Sequence, residues 1–171
     1  EAALIGHNIA PGINRSFACE QWTNLTPAGL SDEVRDEADA QADYDVELDI
    51  HGYDIDQNMI DIAQENCRAA GLTHDITFKQ LAVKDWHTDK INGVIVANPP
   101  YGERLSDHEA VHELYRQMGD IYRPMPTWSK YILTADLEFE KYYGAPATKR
   151  RKLYNGALRT DLFQYWGKKK R

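Results

Sequence analysis

Val94-Ile95-Val96-Ala97-Asn98-Pro99-Pro100-Tyr101 is the stretch on which the fold turns. Four consecutive apolar residues, three of them β-branched, suit a central parallel strand buried on both faces. Pro99-Pro100 ends that strand, because neither residue can donate a backbone hydrogen bond to a ladder. Asn98 and Tyr101 therefore stand at a carboxyl strand end, where open α/β sheets form their ligand sites.

The pattern extends in both directions from this strand. Upstream, Leu48 and Ile50 alternate with polar neighbours as far as Gly52-Tyr53-Asp54, which predicts a strand. Met59, Ile60, Ala63, Cys67 and Ala70 follow at helical spacing, with Gly71 suited to the helix C-cap. A second strand is expected over Ile76 to Val83. Downstream, Val111, Leu114, Tyr115, Met118, Ile121 and Tyr122 form the apolar face of a helix, and Tyr131 to Ala135 reads as a strand. Asn155-Gly156 lies between Lys152–Asn155 and Ala157–Trp166, a strong hairpin signal. Alternating strands and helices with short connections predict an α/β doubly wound sheet that closes in an antiparallel hairpin.

The opening of the chain is less regular. Glu1-Ala2-Ala3-Leu4-Ile5 is a helix-forming run that stops near Gly6. Residues 12–31 read as irregular, with Phe17 and Trp22 expected to anchor in the core. Ser31 is expected to cap a helix reaching about Asp43, whose weak apolar face of Val34 and Ala38 suggests a solvated element.

At 171 residues and 42% hydrophobic composition, the chain is sized for a single domain over 1–171. It has no run of eighteen apolar residues and no signal peptide, so a soluble cytoplasmic protein without a membrane partner is expected. Cys19 and Cys67 lie 48 positions apart in no ligand-like spacing, and are read as buried free thiols. The net charge of -7 is unevenly spread. Ala147 to Arg171 holds nine Lys and Arg against one acid, Asp161, while the other 146 residues hold 11 basic and 26 acidic residues. Such a basic end can steer phosphate, although a lysine-rich tail is commonly a solvated surface.

The chemistry sits in Asn98, Pro99, Pro100 and Tyr101. A strand stop with an aromatic plug would explain the prolines, but not the polar Asn98 and the tyrosine that flank them. An exocyclic amine on a purine is a poor nucleophile, because its lone pair is delocalised into the ring. An acceptor on each N–H favours a pyramidal nitrogen and aims the lone pair at a methyl donor. The Asn98 side-chain oxygen and the Pro99 carbonyl can be those acceptors, held by proline rigidity, and Tyr101 can stack on the base. Asn cannot take up a proton, so such a site works by positioning. A competing pattern is His108-Glu109-Ala110-Val111-His112, which fits the H-E-x-x-H helix of zinc proteases. His108 shares a face with Val111, Tyr115 and Met118, which are expected to pack on the sheet, and nothing singles out a third ligand among Asp136, Glu138 and Glu140. No metal is therefore assigned.

Asn98 to Tyr101 after a buried strand resembles motif IV of the amino-methyltransferases, which include N6-adenine DNA methylases, guanine-N2 rRNA methylases and glutamine-N5 protein methylases. The longer string from Asn98 to Leu105 is similar to the THUMP-associated bacterial 23S rRNA guanine-N2 methyltransferases, often named N6-adenine-specific DNA methylases. Glu1-Ala2-Ala3, Phe17 to Trp22, Gly52 to Asp56 and the start of the Lys152 to Gly156 hairpin are similar to that family too.

This resemblance implies a Rossmann-like class I methyltransferase sheet, S-adenosylmethionine as cofactor and guanine N2 of 23S rRNA as target, with N6-adenine methylation of DNA as the alternative. It also implies cofactor contacts. Asp54 would hold the ribose hydroxyls, Ile55 would lie on the adenine, Asp85 with Trp86 beside it would meet the adenine amino group, and Asn98 would adjoin the methyl donor. Tyr101, Gly102 and Arg104 would meet the substrate. Other roles stay open: either Asp54 or Asp56 can cap the following helix, with Asp56 assigned the cap, and Asp85 and Trp86 can be turn residues. None of the 11 glycines forms G-x-G. The resemblance of Glu1-Ala2-Ala3 to the helix after the family's glycine-rich loop implies an N-terminally truncated domain, its first strand, that loop and an RNA-binding THUMP domain lying upstream.

Overall fold

Asp54 and Asp56 organise the first regular element. β1 (Ile50–Asp54) is followed at once by α3 (Gln57–Ala69), whose N-cap is Asp56; its carboxylate accepts from the Asn58 amide at 2.8 Å. The helix closes before Gly71, which adopts φ 74 as a C-terminal glycine does. β2 (Ile76–Gln80) then pairs parallel with β1, in register from Ile50↔Ile76 to Asp54↔Gln80. The computed structural model describes residues 1–101 and 108–168. It divides into two units, Glu1–Gln80 and Leu81–Arg171.

In the first unit, Ala3 of α1 (Ala2–Gly6), Cys67 of α3 and Leu72 form a small core, flanked by Leu48, Ile50, Ile76 and Phe78. Three expectations need correction here. Phe17 and Trp22 are 40% and 54% exposed, because they bracket a single 3-10 turn, Ala18–Gln21, too short to bury a face; Phe17 instead carries the Arg15 guanidinium 4.5 Å from its ring centre. Ser31 is not a cap. α2 (Leu30–Ala40) is entered through Gly29 at φ 84, a left-handed conformation open to glycine, which starts the helix before Ser31. Cys19 is exposed, while Cys67 is buried and its thiol donates to the Leu72 carbonyl at 2.9 Å.

The second unit carries a four-stranded sheet in the order β3-β4-β6-β5. β3 (Gly93–Ala97) pairs parallel with β4 (Trp128–Thr134), β4 antiparallel with β6 (Leu158–Tyr165), and β6 antiparallel with β5 (Lys149–Asn155). The hairpin falls at the predicted Asn155-Gly156. β2 stops at Gln80 rather than Val83, because Val83–Asp85 coils into a 3-10 turn closed by the Asp85 amide on the Ala82 carbonyl. β3 also departs from expectation. Ile95 and Ala97 pack against the core from one face of the strand, while Val94 and Val96 on the other face stand 62% and 77% exposed, so it is covered on one face instead of both.

α4 (His108–Tyr122) buries Val111, Tyr115, Met118 and Tyr122 as its periodicity predicts, against Ile132 of β4 and Phe163 of β6. His108, at the first position of the helix, is exposed, so burial of that face begins at Val111. α5 (Phe139–Tyr143), one turn long, gives too little periodicity to be foreseen, yet buries Phe139 and Tyr143 completely. Gly119 lets α5 approach α4: a Cβ there would sit 2.1 Å from the Tyr143 carbonyl oxygen. Burying aromatic side chains of this kind stabilises by about 1.5–3 kcal/mol each.

Candidate functional site

The last ladder pair of β3 is Ala97↔Ile132, and the chain then leaves the sheet through Asn98. Asn98 is exposed, Pro99 buried, Pro100 exposed and Tyr101 half-buried. Two hydrogen bonds shape this turn. The Tyr101 hydroxyl donates to the Asn98 side-chain oxygen at 2.6 Å, and the Tyr115 hydroxyl of α4 donates to the Pro100 carbonyl at 3.1 Å. The same Tyr115 oxygen lies 2.9 Å from the Thr134 hydroxyl, which in turn accepts from the Asp136 amide at 3.1 Å. Burial pushes the Tyr115 phenol up to about 12, so it remains a hydrogen-bond donor at neutral pH.

Asp136 also faces His112 of α4, with Nε2 3.2 Å from its carboxylate, and the His112 ring stacks on Tyr142 at 3.6 Å between centres. This placement brings Asp136, one of the three acids named beside the zinc-helix pattern, to His112. His108 is exposed, its ring 6.0 Å from that of His112, and among the described residues no three or more His, Cys, Asp or Glu side chains converge as a metal site. Tyr115 and Thr134 were not recognisable as site residues in the sequence, and Asp136 stood out there only as one of three acids beside the H-E-x-x-H pattern. Tyr115 reads there as an apolar-face residue, and its contact with the turn depends on tertiary packing.

The residues matched to the cofactor fall in both units. In the first, Asp54 ends β1 exposed, with one carboxylate oxygen accepting from the Asp56 amide at 2.9 Å. Ile55 is 71% exposed, and its carbonyl accepts from the Gln80 side chain at 2.9 Å. In the second, Asp85 is exposed on the 3-10 turn. Trp86 is half-buried and meets Tyr122 and Trp128 edge-on, both at 5.9 Å between ring centres. It packs at the margin of the core. Gly102 and Arg104 lie outside the described residues.

The basic hairpin sorts into two sets. Arg150 and Arg159 converge on buried Asp161, at 2.6 and 3.2 Å. Burial alone would push the Asp161 carboxyl up, but hydrogen bonds from Arg159 and Arg150 outweigh it and hold the group below the usual carboxylate range. Lys149, Arg151 and Lys152 are exposed, and the Lys152 ammonium lies 5.2 Å from the ring centre of exposed Tyr154.

Comparison with known proteins adds to this geometry. The family described as RMKL-like, methyltransferase domain, matches residues 1–164. A Bacillus subtilis (strain 168) protein named "Putative RNA methyltransferase YpsC" is 51% identical over 168 residues, which is 98% of this chain and 43% of that protein. A Shewanella baltica (strain OS185) protein named ribosomal RNA large subunit methyltransferase K/L is 35% identical over 92% of this chain and 23% of its own length. The crystal structure of SMU.472 complexed with SAH superposes with a TM-score of 0.93 at 51% identity, over 99% of this chain and 45% of that one. The chain thus spans less than half the length of these relatives.

Proposed function

Since the chain belongs to the RMKL-like methyltransferase domain family, we propose that it is the amine-methylating part of an S-adenosylmethionine-dependent enzyme whose target is guanine N2 in 23S rRNA. The observation that carries this reading is the polar turn after β3, where Asn98 and the Pro99 carbonyl lie at a carboxyl strand end beside an aromatic ring. The Asn98 oxygen and the Pro99 carbonyl accept the two N–H bonds of the target amine, drawing its lone pair out of conjugation. In the absence of a base, the Tyr101 hydroxyl occupies Asn98; an incoming base takes that acceptor as the ring turns to stack. Neither Asn98 nor a proline carbonyl can hold the released proton, which passes to water after the methyl group is transferred.

The residues present suit the cofactor. Asp54 offers a carboxylate already oriented by the Asp56 amide, chemistry that accepts ribose hydroxyls. Exposed Ile55 offers an apolar surface to the adenine, and exposed Asp85 an acceptor for its amino group. When bound, S-adenosylmethionine supplies the electrophilic methyl group. Tight binding would also use a glycine-rich loop from an upstream segment, so a longer form should hold the cofactor far more strongly than residues 1–171 alone.

RNA is the substrate class in this reading, supported by the naming of the two relatives for RNA and ribosomal RNA methylation. Exposed Lys149, Arg151 and Lys152 give the hairpin positive charge that can meet phosphate, with Lys152 beside exposed Tyr154. An upstream THUMP domain would supply further RNA contact, and the enzyme would work in the cytoplasm. Among the described residues no helix is long and apolar enough to cross a membrane.

Incubating the intact protein with tritiated cofactor and 23S rRNA that lacks its native methylation should place label in N2-methylguanosine after digestion. Label in N6-methyladenine of duplex DNA would overturn the target while keeping the amine chemistry. No transfer to either nucleic acid would overturn the reading as a whole.

A further inference from the structure

Pro99 and Pro100 leave the catalytic turn with no backbone N–H of its own across two residues, so this stretch can be held in place only through its carbonyls and side chains. β4, the strand paired to β3, stops following it at Ala97↔Ile132. Beyond that pair the Pro100 carbonyl is fixed by Tyr115, whose side chain is 0% exposed.

The direction of the bonds around Tyr115 is forced. A carbonyl can only accept, so the Tyr115 proton goes to Pro100. Tyr115 must then accept from the Thr134 hydroxyl, and Thr134 is left to accept from the Asp136 amide. The result is a one-way chain from the end of β4, through a helix, to the turn. Thr134 is also 0% exposed, so water cannot substitute for either hydroxyl at little cost.

We propose that Tyr115 is a positioning residue for amine methylation, holding the Asn98–Tyr101 turn through the chain Asp136 amide, Thr134 hydroxyl, Tyr115 hydroxyl, Pro100 carbonyl. It rests on the proposed role of that turn and extends it to residues that touch neither base nor cofactor. Its job is to keep the Pro99 carbonyl and Asn98 oxygen at the spacing an amine requires, where a shift of about 1 Å can cost on the order of 100-fold in rate. A core tyrosine that merely satisfies its own hydroxyl would support folding alone.

The test uses the intact protein and compares Tyr115→Phe, Thr134→Val, Thr134→Ser and Asn98→Ala. Tyr115→Phe should lower kcat by roughly 10- to 100-fold, with KM and cofactor affinity within about twofold of the parent. Thr134→Val should lower kcat in the same sense, Thr134→Ser should restore it, and the Tyr115→Phe/Thr134→Val pair should be no worse than Tyr115→Phe alone, because the two act through one chain. Full kcat in Tyr115→Phe, while Asn98→Ala is impaired, would overturn this proposal and leave the amine site standing. Full kcat in both would overturn the amine site itself. A Tyr115→Phe protein whose cofactor binding and melting temperature fall in step with kcat would mark a structural tyrosine. If Tyr115→Phe does not fold, equal kcat in the two Thr134 variants would overturn the positioning role.

Discussion

The two strand ends that carry the candidate chemistry are built in opposite ways. At the end of β1 the side-chain capping is local: Asp54 accepts from the Asp56 amide, and Asp56 accepts from the Asn58 amide and caps the helix that follows, with one longer bond from the Gln80 side chain to the Ile55 carbonyl. At the end of β3 two prolines remove the backbone donors, so the turn keeps one local side-chain bond, from the Tyr101 hydroxyl to Asn98, and is otherwise tied by Tyr115 and, behind it, by Thr134. A strand end with backbone N–H groups can organise its own turn within a few residues. One that gives up those groups must be fixed from elsewhere in the fold, so its geometry depends on the packing of α4 against β4.

That contrast can be broken at several points. The largest effect should come from Asn98→Ala, which removes one of the two amine acceptors: turnover should fall by about 100- to 1,000-fold while cofactor affinity changes little, as steady-state kinetics with separate cofactor titration would reveal. Asp54→Ala should have the reverse signature. Loss of hydrogen bonds to a charged group is worth about 1.5–3 kcal/mol, so the intact protein should bind S-adenosylmethionine roughly 10- to 150-fold more weakly by calorimetry. Unchanged affinity would detach Asp54 from the cofactor. The neighbouring Asp56→Ala should act through stability, removing an N-cap worth about 1 kcal/mol, and denaturant unfolding would register that loss without a matching change in cofactor affinity at saturating folded protein.

The smallest expected effect is a dependence on pH within the first unit. His7 is buried, with Nδ1 2.9 Å from the Asp43 carbonyl and Nε2 2.7 Å from the Asp75 carboxylate. Both partners accept only, so the doubly protonated imidazolium satisfies both at once. The Asp75 hydrogen bond, then that to Asp43, raise the His7 pKa above its ordinary 6.5. A raised folded value contributes stability that is complete below the unfolded value near 6.5 and is lost as pH climbs through the folded value. The melting temperature should therefore decline over that interval, and His7→Gln should remove this part of the slope. A His7→Gln protein with the parent slope would show that the pair does not titrate with folding.

The same contrast explains what could be read in the sequence. The Asp56 cap, the Gly71 stop, the apolar face of α4 and the Asn155-Gly156 hairpin are rules over a few residues, and each appears where the pattern places it. Asn98 and the prolines were legible as a polar strand end for the same reason. Tyr115 was visible only as a large apolar-face residue, because its hydroxyl finds Pro100 and Thr134 through tertiary packing. Phe17 and Trp22 misled for the opposite reason: aromatic rings suggested a core, but a single 3-10 turn gives them no face to bury. The apolar run of β3 suggested a strand covered on both sides, but only the Ile95 and Ala97 face packs on the core, leaving Val94 and Val96 exposed.

The central claim is that Asn98 and the Pro99 carbonyl grip an exocyclic amine. The most direct measurement is a crystal structure of the intact protein with S-adenosylhomocysteine and a guanosine-containing RNA fragment of its target. The account predicts the guanine N2 within about 2.7–3.2 Å of both acceptors, the base stacked on Tyr101, and the Tyr101 hydroxyl withdrawn from Asn98. A base bound elsewhere in the complex, with the Tyr101–Asn98 hydrogen bond still closed, would contradict it.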